Sequence, residues 1–150
     1  MNHEKHGDTA AVIEGEGPPV MLVHGMGLNR CMWDWQLAAL TPRFRVIRYD
    51  LLGHGDSDKP VKTYRMDDFV DQLARLMDVL ALDRSALVGF SLGGLIVQAF
   101  TLAHPDRVSA LAILNAGHDR SDAERAGMLA RLEQATRLGH VATVEAALGV

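Results

Sequence analysis

Five residues, Gly89-Phe90-Ser91-Leu92-Gly93, constrain this chain more than any other feature, because they fall where a strand pattern passes directly into a helical one. Ser85 to Gly89 reads as a strand, and Leu92 to about Ala103 as a helix that stops before Pro105. With no loop between them, the backbone must turn a sharp, strained corner that projects the Ser91 side chain above the sheet edge. A side chain two positions before or after the serine would collide across that corner, which accounts for Gly89 and Gly93. Gly94 suits close packing of helix on strand.

The rest of the chain repeats the alternation of short apolar runs with longer helical periods, the mark of βα units around a sheet. After the Gly/Pro punctuation of Gly15 to Pro19, Val20 to Val23 is wholly apolar, as in a strand buried on both faces. A turn follows at His24 to Gly27, then a helix carrying Trp33 to Leu40 and a strand over Arg45 to Tyr49. A long loop, Asp50 to Pro60, leads to a helix over Asp67 to Leu80. There Phe69, Val70, Leu73, Leu76, Met77 and Leu80 share one face, and Asp67 or a neighbour caps the start. Val108 to Asn115 reads as a strand and Ser121 to Leu138 as an amphipathic helix, with a further helical start at Thr143. The fold class expected is α/β, a mostly parallel sheet flanked by helices, with residues 1–120 forming the core and 121–150 a separate helical segment. Because the pattern runs to Val150 with no closing element, the chain is expected to be a fragment of a longer fold.

Composition narrows the function classes. With 48% hydrophobic residues in 150, a packed core is expected, and a net charge of -4 spread over scattered acids and bases marks no nucleic-acid or anionic-membrane face. Cys31 is the only cysteine, which excludes an internal disulfide, suits a reducing compartment and reads as a small buried residue. Met1 to Thr9 lacks the apolar run of a secretory signal, so a cytoplasmic location is expected. Ala86 to Ala103 is uncharged, but its strand, glycines, Gln98 and Thr101 argue against a membrane span. The histidines are dispersed without metal-ligand spacing, so neither metal nor cofactor is expected.

A serine that attacks an acyl carbon generates an oxyanion, which needs preorganised donors shielded from water. Two backbone amides suit that duty: Leu92, at the amino end of its helix, and Met26, in the loop His24-Gly25-Met26-Gly27. This loop, the segment Gly53-His54-Gly55-Asp56-Ser57 and the serine corner resemble, in order and spacing, the α/β-hydrolase superfamily over most of Val20 to Asn115. Arg45 to Asp50 and the helix after Asn115 are similar to small-substrate esterases and lactonases such as 3-oxoadipate enol-lactonases. The resemblance implies Ser91 as nucleophile, Met26 and Leu92 as oxyanion-hole amides, Trp33 and Phe90 as pocket lining, and a small ester or lactone as substrate. It also makes 121–150 the start of a cap. His24 and His54 belong to turns and read as structural, while Asp50 and Ser57 brace their loop by side-chain hydrogen bonds.

A catalytic serine also needs a histidine to take its proton and an acid to orient that histidine. In the family both follow the later strands. Past Ser91 this chain offers His104, His118 and His140 with Asp106, Asp119 and Asp122, none at the family's position for the base. The chain alone is therefore expected to be nearly inactive, and the strand Val108 to Asn115 to be an exposed edge prone to self-association. A dinucleotide-binding half is disfavoured because Arg30 stands where a third glycine belongs and because the serine corner would go unexplained. A non-catalytic receptor for a small apolar ligand stays open, as do haloperoxidase-like and C-C bond serine hydrolases.

Overall fold

The computed structural model describes residues 4–117 and 121–138, and divides the chain into two compact units with the boundary between Ala116 and Gly117. The first unit is built on a six-stranded sheet of order β1-β2-β4-β3-β5-β6. Its strands are β1 (Glu4–His6), β2 (Thr9–Glu14), β3 (Pro19–Val23), β4 (Arg45–Tyr49), β5 (Ser85–Phe90) and β6 (Val108–Leu114). Strands β3 to β6 pair in parallel through β4-β3, β3-β5 and β5-β6, whereas β1-β2 and β2-β4 are antiparallel. The mostly parallel α/β sheet expected from the sequence is thus observed.

Strand alternation sorts the side chains onto two faces. Met21, Val23, Ile47, Tyr49 and Leu87 pack with Phe69, Leu73, Leu76 and Met77 of α2 (Met66–Val79) and Ile96, Val97 and Phe100 of α3 (Leu92–Ala103). Val20, Leu22 and Val46 face the other way, against Trp33 and the partly buried Leu37 and Leu40 of α1 (Asp34–Leu40). Every one of these strands is covered on both sides, which is why Val20 to Val23 has no polar residue to spare. The register sets Val23 opposite both Tyr49 and Gly89, and Gly89 opposite Ile113, so the parallel strands finish at one level. The loops that follow them gather there, the usual place for a site in such a sheet.

Several expectations are corrected. β1 and β2 were not anticipated: the residues around Thr9 look polar, yet Thr9 to Val12 are buried because β2 pairs with β4. The helix over 67–80 starts one residue earlier, and its first turn is capped by Asp68, whose carboxylate accepts the Arg65 amide at 2.7 Å. Residues 30 to 33 form a 3₁₀ turn before α1, and in that turn Arg30 and Trp33 take the inward positions. Cys31 consequently points outward and is exposed, contrary to its reading as a core residue.

The second unit contains α4 (Asp122–Leu138), preceded by Ser121, whose hydroxyl and amide both lie 2.8 Å from the Glu124 carboxylate in a capping box. α4 is not amphipathic. Neighbouring apolar residues such as Met128 and Leu129 point about 100° apart at helical period, and both are exposed. Among the described residues, no helix is long and apolar enough to cross a membrane. His118, Asp119, His140 and the helical start at Thr143 lie outside the described residues.

The join between α3 and β3 depends on Gly93. A Cβ there would overlap the backbone carbonyl oxygens of Val23 and His24, neither of which can swing aside. Gly93→Ala should therefore cost about 1–3 kcal/mol or more in urea unfolding. Gly127→Ala, where a Cβ meets nothing within 4 Å, should be neutral or stabilising. Equal midpoints for Gly93→Ala and the unsubstituted chain would refute the tight join.

Candidate active site

Ser91 stands alone between β5 and α3 with φ 52° and ψ -113°, a left-handed backbone that L-residues adopt only under constraint. The constraint is visible. Its amide donates to the Leu114 carbonyl on β6 at 2.9 Å, and its carbonyl accepts the Leu95 amide at 3.2 Å. Gly89 faces the backbone of Gly93 and Gly94 so closely that any Cβ would overlap Gly93, which confirms the collision inferred from the sequence. Gly94 lies against Ala116 and Ile113, holding the start of α3 onto the end of β6. The serine is half-buried and outside the core.

The loop after β3 comes to the same point. A Cβ on Gly25 would lie 3.3 Å from the Ser91 Cβ and 3.0 Å from the Phe90 ring, so the loop passes directly beside the serine. Gly25 O accepts the Leu28 amide at 3.2 Å, closing a turn that contains Met26. Leu92 is the first residue of α3, where an amide has no intrahelical acceptor and the helix dipole favours negative charge. Among the described residues, neither the Met26 nor the Leu92 amide donates a hydrogen bond. Both amides are thus left without an acceptor among the described residues. The Phe90 ring sits against Gly25 and packs, half-buried, on the core cluster that holds Trp33, which is itself buried.

The loop after β4 braces the other side. The buried Asp50 carboxylate accepts the Arg30 amide at 2.7 Å and the Asp56 amide at 2.8 Å, and pairs with the Arg30 guanidinium. Arg30 also reaches Asp56 at 2.8 Å. Burial pulls the Arg30 pKa down, but these carboxylates outweigh it and hold the guanidinium above its ordinary value. Ser57 Oγ donates to Asp50 O at 2.6 Å and accepts the Ala10 amide at 2.9 Å. The bracing expected of Asp50 and Ser57 is present. Arg30 as the partner of Asp50, and Gln72, which accepts the Leu52 amide and donates to Thr9 and Asp50 O, were not foreseen. The partners lie 20 or more residues apart, beyond the reach of any local spacing signal.

His24 and His54 are bound into these turns. The His24 Nε2 accepts the Leu51 amide at 3.0 Å, and its Nδ1 faces Gly25 O at 2.8 Å. The His54 Nε2 accepts the Gly27 amide at 3.1 Å, and its Nδ1 faces Leu52 O at 3.0 Å. Of the described histidines, none is hydrogen-bonded to the Ser91 hydroxyl, and neither is any other described side chain.

Comparison with known proteins identifies the family. Residues 18–141 match the family model of the alpha/beta hydrolase fold, and the chain belongs to that family. It is 34% identical over 128 residues to the (E)-2-((N-methylformamido)methylene)succinate hydrolase of Acinetobacter baylyi, a match covering 85% of this chain and 48% of that protein. A hydrolase from Pseudomonas aeruginosa superposes with a TM-score of 0.82 at 30% identity, over 93% of this chain and 53% of the other. A thermophilic esterase from Thermogutta terrifontis gives 0.76 at 35% identity, over 87% and 49%. The chain spans about 35 to 48% of the length of the curated relatives it matches.

Burial is the main reason the His24 pKa lies below its ordinary value of 6.5. The neighbouring His54 lowers it further, while the Gly25 carbonyl and Asp50 act in the opposite direction. The unfolded chain therefore binds a proton more readily than the folded one. The stability contributed by neutral His24 is complete above pH 6.5 and is lost as the pH falls from there through the lowered folded value. His24→Gln keeps an acceptor for Leu51 but cannot titrate. Between about pH 7.5 and about pH 5, the urea midpoint of the unsubstituted chain should fall further than that of His24→Gln. Parallel curves would show that His24 does not carry this acid sensitivity.

Proposed function

We propose that Ser91 is the nucleophile of a hydrolase that cleaves a carboxylic ester, lactone or related acyl bond of a small molecule. The observation that carries this reading is the backbone of Ser91 itself, held at φ 52° beside the Gly25 turn and the first amide of α3. In the reaction, the Ser91 oxygen would attack the acyl carbon while a base takes its proton. The Met26 and Leu92 amides would receive the charge developing on the acyl oxygen, and removing one such donor typically costs about 10²–10³ in rate. Phe90, against Gly25, and Trp33 behind it would shape the acyl side of the site. The esterase and hydrolase relatives support acyl chemistry. No cofactor enters this chemistry, and a cytoplasmic location fits the lone cysteine.

Among the described residues no side chain is hydrogen-bonded to the Ser91 hydroxyl, which supports a base lying outside them. We infer that this chain alone turns over slowly, retaining at most the residual rate of about 10³–10⁴ over water that survives loss of a triad member. The same observation favours the second reading, a receptor for a small apolar ligand whose serine is passive. A fluorophosphonate probe separates the two. With imidazole added as an external base, mass spectrometry should find the adduct on Ser91, formed faster than without imidazole and missing from Ser91→Ala. An unlabelled Ser91, or an adduct elsewhere, would favour the receptor. Rapid, Ser91-dependent ester turnover without imidazole would show instead that the chain supplies its own base.

Among the described residues β6 is the last strand of the sheet and exposes Leu111, Ile113 and Leu114, and an open apolar edge pairs readily with another. Self-association through β6 should appear in size-exclusion chromatography as a concentration-dependent shift. A clean monomer across the range would count against it.

A further inference from the structure

We propose that His54 is a positioning residue that fixes the Met26 amide beside Ser91, an inference that rests on the assignment of Met26 as an oxyanion donor. Met26 occupies a turn whose two flanks are both held by histidine rings. On the upstream side, His24 Nδ1 lies 2.8 Å from Gly25 O, and its Nε2 accepts the Leu51 amide. On the downstream side, the Gly27 amide donates to His54 Nε2 at 3.1 Å. The rings meet edge to face, with centroids 5.2 Å apart and planes at 62°. Gly27 has φ 72°, so nothing in its own side chain limits the direction of the Met26-Gly27 peptide. The bond to His54 does so instead.

The partners also settle the state of the ring. A carbonyl oxygen only accepts, so the His54 Nδ1 facing Leu52 O carries the hydrogen. An amide only donates, so the Nε2 facing Gly27 carries the lone pair. His54 is therefore the neutral Nδ1–H tautomer. It links the loop after β4 to the loop after β3 across 27 residues of sequence, and the buried Asp50 anchors the first of these loops. A displaced Gly27 would let the Met26 amide turn away from the point where an oxyanion forms, and misplacements of about 1 Å are enough to cost catalysis dearly.

The decisive measurement is an ¹⁵N spectrum of the whole chain. The His54 ring should show the Nδ1–H tautomer, with scalar coupling across the hydrogen bond from the Gly27 amide nitrogen to His54 Nε2. An Nε2–H tautomer, or a Gly27 amide without that coupling, overturns the proposal. Two variants add a second readout. His54→Gln places a carboxamide oxygen where Nε2 stood and should keep the Gly27 amide protected from hydrogen exchange. His54→Asn is one methylene shorter and should lower that protection about tenfold, the scale of one lost hydrogen bond, while Leu51 stays protected by His24. Ser91 labelling by the fluorophosphonate should slow about tenfold in His54→Asn and recover in His54→Gln. Loss of Gly27 protection with unchanged labelling overturns the positioning role. If the unsubstituted chain does not label, the nucleophile assignment fails instead, and the coupling and exchange measurements still decide whether His54 holds this turn.

Discussion

The site depends on backbone meeting backbone where β5 turns into α3. Gly89 faces Gly93, and Gly93 faces the carbonyls that end β3, so three segments touch through main-chain atoms with no side chain between them. This contact places the first turn of α3 over the end of the sheet. It forces Ser91 into a left-handed conformation that costs on the order of 1–3 kcal/mol and persists only because the surrounding structure over-determines it. The hydrogen bond from Ser91 to Leu114 and the packing of Gly94 against Ala116 extend the constraint to β6. A serine lifted out of the core at the end of the sheet is the direct result.

The corner alone would not make a site, because the loops facing it carry few apolar residues to pack. They are held by buried polar groups that satisfy one another. Asp50 has negligible exposure, yet two amides and the Arg30 guanidinium surround it. Gln72 and Ser57 tie the same loop to β2. Such a network costs desolvation and repays it only when complete, so its value lies in fixing one arrangement of the loops. The two histidines continue it to the turn holding Met26. The geometry of the site is set by strands that end at one level and by loops cross-linked through side-chain acceptors.

Much of this order was legible in the sequence. The strand Arg45–Tyr49 and the helix Leu92–Ala103 lie where turn signals and Pro105 put them, because Val46 and Ile47 between turns and a helix closed by proline are local signals. The corner was legible for the same reason, since a glycine two residues either side of a serine is a steric demand written into five positions. Other features were not. β2 is small and partly polar, with Thr9, Ala10 and Ala11 buried, and its strand character comes from pairing with β4 some 35 residues later. Cys31 looked apolar enough to bury, but Arg30 and Trp33 took the inward places of its turn.

What the sequence determined by itself was the βα alternation and the strained serine, because each follows from clashes and periodicities within a few bonds of the residues concerned. Only the tertiary structure decided what stands around that serine. The approach of Gly25, the pairing of Arg30 with Asp50 and the duty of His54 toward Gly27 join positions 20 to 66 residues apart. No local rule links such distant residues. The sheet register and the buried acceptors do, by bringing the ends of three parallel strands to one edge and giving the polar groups there partners from other loops.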